Sequence, residues 1–133
     1  MCTMKNCYLI CRSQLLGKQI TLVRVAESNV PELVYGDQFR LEHVLSNFVS
    51  NAIKFCPESS KITVTVSYKT RGPDLVSFSV RDEGVGIAQE DQSKLFKVFS
   101  QIKPGELQKG SGSGLGLSIC KVRILYTYND YYT

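Results

Sequence analysis

Apolar residues recur at two different periods along the chain, and the changes of period mark out its elements. Met4, Cys7, Tyr8, Cys11 and Leu15 stand at helical spacing, which predicts a short helix over 4–16 ending near Gly17. Ile20-Thr-Leu-Val-Arg-Val25 reads as a strand, and Val30-Pro31 as a turn into Glu32-Leu-Val-Tyr35. Asp37 suits the N-cap of a long helix that Pro57 ends. Along that helix Leu41, Leu45, Phe48, Ala52 and Phe55 are spaced as a buried stripe, with His43, Asn47, Asn51 and Lys54 as a polar stripe beside it. Lys61–Tyr68 and Leu75–Arg81 alternate with period two, and Thr70-Arg-Gly-Pro-Asp74 joins them as an antiparallel hairpin. Residues 91–99 read as a helix, Ser100–Ser113 as a loop with the composition of a mobile segment, and a last helix begins near Gly114. The pattern predicts an α+β fold, a two-layer sandwich with helices on one face of a mixed, mostly antiparallel sheet.

Composition narrows the class. A chain of 133 residues is one domain, and 43% apolar with 10% aromatic residues supplies a core. Charged residues at 21% exclude a disordered polyelectrolyte. No apolar run reaches the roughly 18–20 residues of a membrane helix, and the apolar stretch within Met1–Cys11 is too short for a secretory signal. These features predict a small, soluble, intracellular domain with no membrane segment. The five cysteines, Cys2, Cys7, Cys11, Cys56 and Cys120, form no C-x-x-C pair and are odd in number, so they read as reduced packing thiols. A single histidine, His43, argues against His-rich metal sites and a His-based triad.

Charge is distributed unevenly. Residues 1–92 carry 10 basic and 10 acidic groups, so the net +4 lies wholly in residues 93–133. Such a bias suits a polyanion, either nucleotide phosphate or nucleic acid, and equally describes a solvated lysine face. Few aromatics interleave these lysines, so a stacking platform for nucleic acid is not expected.

Three motifs carry candidate chemistry. Asn47 and Asn51 lie one turn apart although Asn is a poor helix former. A carboxamide oxygen is a suitable ligand for a hard cation such as Mg²⁺, and Lys54, a turn further on, would reach phosphates sharing that metal. A solvated polar face is the alternative. Asp82-Glu-Gly-Val-Gly-Ile87 follows a strand. Its glycines allow close backbone approach to a flat ligand, and its first carboxylate can accept from an exocyclic amine such as that of adenine. A simple acidic turn has the same composition. Gly110-Ser-Gly-Ser-Gly-Leu-Gly-Leu-Ser118 opens the last helix and offers backbone N–H groups and a dipole to phosphate. Leu115 and Leu117 set it apart from a flexible linker. It is neither a Walker A loop nor a G-x-G-x-x-G fingerprint, because Leu117 stands where the third glycine belongs.

Taken in order, Asn47-Phe-Val-Ser-Asn-Ala-Ile-Lys-Phe55, Asp82–Ile87, Lys94-Leu-Phe-Lys-Val-Phe99 and Gly112-Ser-Gly-Leu-Gly-Leu-Ser-Ile119 resemble the N, G1, F and G2 boxes of histidine-kinase ATP-binding domains of the GHKL superfamily. The resemblance runs from about Ile20 to Lys121 and implies the Bergerat α/β sandwich, ATP and Mg²⁺. By position, Asn51 would ligate Mg²⁺, Asn47 would support the metal and phosphate site, Lys54 would contact phosphate and Phe55 would line the pocket. Asp82 would bind the adenine amine in a pocket shaped by Gly84, Gly86 and Ile87. Phe96 and Phe99 would anchor an ATP lid over about 100–113, and Gly112, Gly114, Leu115, Gly116 and Leu117 would surround the phosphates. The ATP-hydrolysing branches carry a glutamate base where Asn47 stands, which favours phosphoryl transfer over hydrolysis.

The resemblance therefore implies a catalytic domain of a sensor histidine kinase, working in a two-component phosphorelay. It would pass the γ-phosphate to a histidine on a separate dimerisation domain, in cis or in trans, and indirectly to a response-regulator receiver. No catalytic residue is certain within this chain; Asn47 and Lys54 would support the transfer. His43 lies on the nucleotide-binding helix, where the family usually has an unreactive polar residue. Residues 122–133 diverge from the family's Gly-Gly turn and two further strands, so the chain reads as one ATP-binding domain, 1–133, lacking its last strands as a fragment or a truncated product. Full-length relatives are often membrane-anchored with this domain on the cytoplasmic side, so the resemblance implies a cytoplasmic location. The alternative reading is a catalytically inactive nucleotide-binding or docking fragment that regulates a full-length kinase.

Overall fold

The computed structural model describes residues 2–32, 34, 36–69, 75–95 and 116, the side chains of 2–5 and 7 excepted. The hairpin loop Thr70–Asp74, the whole Ser100–Ser113 segment and the tail 122–133 lie outside the described residues. The chain divides into two compact units, Met1–Gly84 and Val85–Thr133.

The first unit contains helix α1 (Cys2–Gly17), strand β1 (Thr21–Ala26), helix α2 (Gln38–Phe55) and strands β2 (Lys61–Lys69) and β3 (Leu75–Arg81). Strand order is β1-β2-β3. β2 and β3 form the antiparallel hairpin that their alternation predicts, with Thr63 opposite Arg81 and Lys69 opposite Leu75. β1 pairs with β2 in parallel, from Thr21 opposite Lys61 to Ala26 opposite Val66. α2 provides the crossover that such a pairing requires, so the sheet is mixed.

One face of the sheet is covered. Along β2, Ile62, Val64 and Val66 are buried while Thr63, Thr65 and Ser67 on the other face are half-buried. Ile62 and Val64 join Cys11 and Leu15 of α1 and Leu45, Val49, Ala52 and Ile53 of α2 in one core. The buried face of α2 is centred on Val44, Leu45, Val49, Ala52 and Ile53. Leu41, Phe48 and Phe55, expected in the buried stripe, are only half-buried. The apolar arc of α2 is wider than one stripe, and α1 draws its centre toward Val49 and Ile53. Cys11 and Cys56 are buried and form no disulfide among the described residues, as expected of packing cysteines.

The helix ends are set by polar chemistry. The Asp37 carboxylate caps α2 by accepting from the Arg40 amide at 2.9 Å. α1 stops in a Schellman-type turn, with Gln19 N donating to Leu16 O at 3.1 Å and Ile20 N to Leu15 O at 2.9 Å. The helix ends at Gly17 as expected, and the left-handed residue of the turn that follows is Gln19, with φ 55°. The reason is that Ile20 must follow at once to enter the core beside Leu15.

Beyond this turn Lys18 reaches across to the end of α2. Its Nζ donates to the carbonyls of Ile53, Lys54 and Cys56 at 2.8, 3.0 and 3.0 Å. The Ser59 amide donates back to Lys18 O at 2.9 Å, and the Thr21 amide to Ser60 O at 3.0 Å. The turn after α1 and the turn after α2 are thus locked together where β1 and β2 begin.

In the second unit, the described residues form a short helix α3 (Gln89–Gln92), followed by a turn to Leu95. The helix begins earlier than the expected 91–99, because the Ala88 carbonyl already accepts from the Asp91 amide at 2.9 Å. Residues 96–99 lie outside the described residues. Gly116 is helical, in line with a last helix starting near Gly114.

Two neighbouring substitutions should move stability in opposite directions. Lys18→Met removes a charged donor from three carbonyls and should cost about 1.5–3 kcal/mol. Gln19→Gly relieves a left-handed non-glycine residue and should add about 0.5–1 kcal/mol. Urea midpoints at unchanged m-value measure both; a Lys18→Met midpoint equal to wild type would contradict the clasp.

Candidate functional site

The candidate residues of the first unit lie on α2 and on the chain just after β3. Asn47, Asn51, Lys54 and Phe55 share one side of α2 and are all half-buried, as a helical stripe beside the core must be. Asn47 Nδ2 donates to His43 O one turn back at 3.0 Å. This fixes the carboxamide and leaves its oxygen as the outward acceptor. Asn51 makes no side-chain hydrogen bond among the described residues, although an amide held at a half-buried position ordinarily finds one. The Lys54 ammonium stands 5.5 Å from the centre of the Phe55 ring, within cation–π range.

Asp82 leaves β3 and folds into an Asx turn, its Oδ1 accepting the Gly84 amide at 2.9 Å. Oδ2 accepts no hydrogen bond from the described residues. Glu83 turns the other way, its Oε2 accepting from the Lys61 amide at 2.9 Å at the start of β2. The turn is therefore tied to the sheet at one residue and presents a carboxylate at the previous one.

Gly84 joins the two groups. A Cβ built there would lie 2.8 Å from Asp82 Oδ1 and 2.9 Å from the carbonyl oxygen of Phe55. Only a residue without a side chain lets the turn sit against the end of α2. The fold thus brings Asp82 and Gly84 to the helix end that carries Lys54 and Phe55, with Asn51 one turn earlier. An acceptor carboxylate, a carboxamide without a partner among the described residues and a cation on one rigid support suit a metal-bound nucleotide.

Asn47 has a second environment. With Ile10, Cys11 and Gln14 of α1 and His43, Ser46 and Ser50 of α2 it lines an open cleft of about 260 Å³. Asn51, Lys54, Phe55, Asp82 and Gly84 do not line it. The Ser46 hydroxyl is buried there without a partner in the described residues. The polar stripe therefore divides, Asn47 bordering this cleft and Asn51 and Lys54 lying outside it.

Gly86 and Ile87 fall in the second unit. Gly86 takes φ 69°, the left-handed conformation its place in the motif requires, and Ile87 is exposed. Gly116 is half-buried. Phe96, Phe99, Gly112, Gly114, Leu115 and Leu117, and the lid expected over 100–113, lie outside the described residues. What motif reading missed is Lys18. A lone lysine after a helix resembles any surface lysine, and its partners are 35 or more residues away.

Comparison with known proteins places the chain in a family. Residues 36–131 match the family described as histidine kinase-, DNA gyrase B-, and HSP90-like ATPase. The chain belongs to this ATPase family. Hybrid signal transduction histidine kinase B of Dictyostelium discoideum is 38% identical over 120 residues, covering 87% of this chain and 6% of that protein. Sensor histidine kinase RcsC of Salmonella typhimurium is 40% identical over 104 residues, covering 78% of this chain and 10% of that protein. The solved catalytic domain of histidine kinase ThkA matches with a TM-score of 0.74 and 29% identity, over 94% of this chain and 76% of that one. Full-length ShkA, solved in complex with AMPPNP, matches with a TM-score of 0.74 and 28% identity, over 96% of this chain and 25% of that one. The chain spans a tenth or less of the length of these two curated relatives.

The close approach at Gly84 is directly testable. Gly84→Ala forces atoms apart against backbone and should cost about 1–3 kcal/mol. Gly86→Ala, with open space around its Cβ, pays only for its φ and should cost about 1 kcal/mol. Denaturation curves of both variants check the difference; a Gly84→Ala variant as stable as wild type would contradict the packing of Asp82–Gly84 on α2.

Proposed function

We propose that this chain is the Mg²⁺-ATP-binding catalytic domain of a sensor histidine protein kinase. The observation that carries this reading is the contact of Gly84 with the Phe55 carbonyl, which sets the Asp82 carboxylate at the end of the helix bearing Asn51 and Lys54. Family membership and the kinase relatives support it.

Each residue then has a task suited to its geometry. Asp82, oriented through Oδ1 by the Gly84 amide, offers Oδ2 to the adenine amine. Gly84 shapes the base pocket with Phe55; Gly86 and Ile87, by their place in the motif, bind the same nucleotide. The Asn51 oxygen is the protein ligand for Mg²⁺, and the Asn47 oxygen supports the same site. Lys54 places positive charge beside the phosphates. Bound Mg²⁺ supplies neutralisation of phosphate charge and alignment of the γ-phosphate. A carboxamide at Asn47 takes up no proton, so water has no base there. Phosphoryl transfer needs chiefly positioning and charge neutralisation, which these residues provide.

The lid residues Phe96 and Phe99 and the loop residues Gly112, Gly114, Leu115, Gly116 and Leu117 complete the site in this reading. The acceptor is a histidine on a separate dimerisation domain, in cis or in trans, from which a receiver takes the phosphoryl group in two-component signalling. The domain works in the cytoplasm, where ATP is supplied; among the described residues no helix is long and apolar enough to cross a membrane.

Calorimetry of the chain with Mg²⁺ and AMPPNP should show one saturable site of micromolar-to-millimolar affinity. Asp82→Asn should weaken it roughly tenfold or more, since a charged acceptor's hydrogen bond is worth about 1.5–3 kcal/mol. Asn51→Ala should lower affinity in Mg²⁺ and change little in EDTA. A folded chain that binds no nucleotide, or binding indifferent to Asp82→Asn, would sink the reading. Phosphotransfer is read separately by mixing the chain with a histidine-bearing dimerisation domain and labelled ATP; label on histidine is expected. Binding without transfer would leave the chain as a regulatory nucleotide-binding fragment.

A further inference from the structure

The clasp made by Lys18 has a consequence for the site as well as for stability. We infer that Lys18 is a positioning residue for the nucleotide site, an inference that rests on the nucleotide reading above. Its ammonium binds the carbonyls of Ile53, Lys54 and Cys56 and passes over that of Phe55. The Phe55 carbonyl is the one that meets Gly84. One cation thus gathers three of the last four carbonyl-bearing residues of the helix end, and the fourth is left to receive the Asp82–Gly84 turn.

Two independent features keep this arrangement in register. Cys56 N donates to Ala52 O at 2.9 Å, which closes the last turn of α2 from within. Ser59, itself left-handed at φ 60°, ties its amide to Lys18 O at 2.9 Å and its hydroxyl to Gln19 Oε1 at 3.3 Å. Lys18 is therefore held at its backbone as well as at its ammonium. The end of α1 consequently sets how the final turn of α2 is wound. That turn carries Lys54 and Phe55 and receives the turn that orients Asp82. If Lys18 lets go, helix ends fray first, so the spacing between Lys54, Phe55 and Asp82 relaxes while the core stripe of Leu45, Val49 and Ala52 stays packed. Lys18 touches no substrate in this arrangement; it acts through the backbone.

The test compares nucleotide affinity in the full chain with stability. Calorimetry with Mg²⁺-AMPPNP is run on wild type, Lys18→Met, Lys18→Arg and Val66→Ala. Val66 is buried in β2, and its truncation lowers stability without touching the end of α2. Lys18→Met should weaken AMPPNP about tenfold, or about 1.4 kcal/mol, with Lys18→Arg recovering part of the loss and Val66→Ala staying within about twofold of wild type. Folded Lys18→Met with wild-type affinity overturns the inference, as does an equal loss in Val66→Ala. Should Lys18→Met not fold, the wild-type chain still decides: the ¹⁵N-detected Lys18 ammonium signal should shift on saturation with Mg²⁺-AMPPNP, and an unmoved signal overturns the inference. A wild-type chain that binds no AMPPNP overturns the nucleotide reading along with this one, whereas wild-type binding with Lys18→Met unaffected removes only the role of Lys18.

Discussion

An α-helix ends with carbonyls that its own geometry cannot satisfy, and this structure is organised around how α2 deals with them. Lys18 supplies one cation to three carbonyls of the last turn, and Gly84 lies against the Phe55 carbonyl between them. The first contact links α2 to α1 and to the start of β1; the second links it to the end of β3. Because charge-assisted hydrogen bonds are stronger than neutral ones, the helix end is a fixed point to which sheet and turn are both referred. The helix dipole favours a cation at this end, so backbone electrostatics and tertiary contact act in the same direction.

A rigid helix end lets one element serve two purposes. The core side of α2 buries Leu45, Val49, Ala52 and Ile53, while Asn47, Asn51 and Lys54 lie half-buried beside it. Asn costs the helix some propensity at each position, and burial on the opposite side offsets that cost. Among the described residues, the Asn51 carboxamide and Asp82 Oδ2 are polar groups without a hydrogen-bond partner, open to a ligand. Asn47, its amide committed to His43, also borders the cleft against α1, so the two helices meet next to the polar stripe.

Much of this was legible in the residues, and the remainder was hidden for definite reasons. Asp37 and Pro57 bracket α2 by local chemistry, and the period-two alternation of Lys61–Tyr68 and Leu75–Arg81 identifies the hairpin strands. Asp82, Gly84 and the two asparagines stood out because their types are unusual where they occur. The centre of the buried face of α2 did not, because Val44, Val49 and Ile53 are as apolar as Leu41, Phe48 and Phe55, and only the position of α1 chooses among them. Gly17 marked the end of α1, whereas Gln19 as the left-handed residue runs against the preference for glycine and carries no signal in the sequence. The parallel pairing of β1 with β2 and the reach of Lys18 to Ile53 depend on contacts between distant segments, about which local periodicity carries no information.

The central claim is that the Asn51 side of α2, facing the Asp82 turn, holds a metal-bound nucleotide. Mn²⁺ in place of Mg²⁺, added with AMPPNP to the isotopically labelled chain, reports this most directly through paramagnetic line broadening. The Asn51 side-chain amide signals should broaden first and those of Asn47 next, and neither should broaden at the same Mn²⁺ level without nucleotide. Broadening confined to other parts of the chain, with Asn51 unaffected at saturating nucleotide, would contradict the claim.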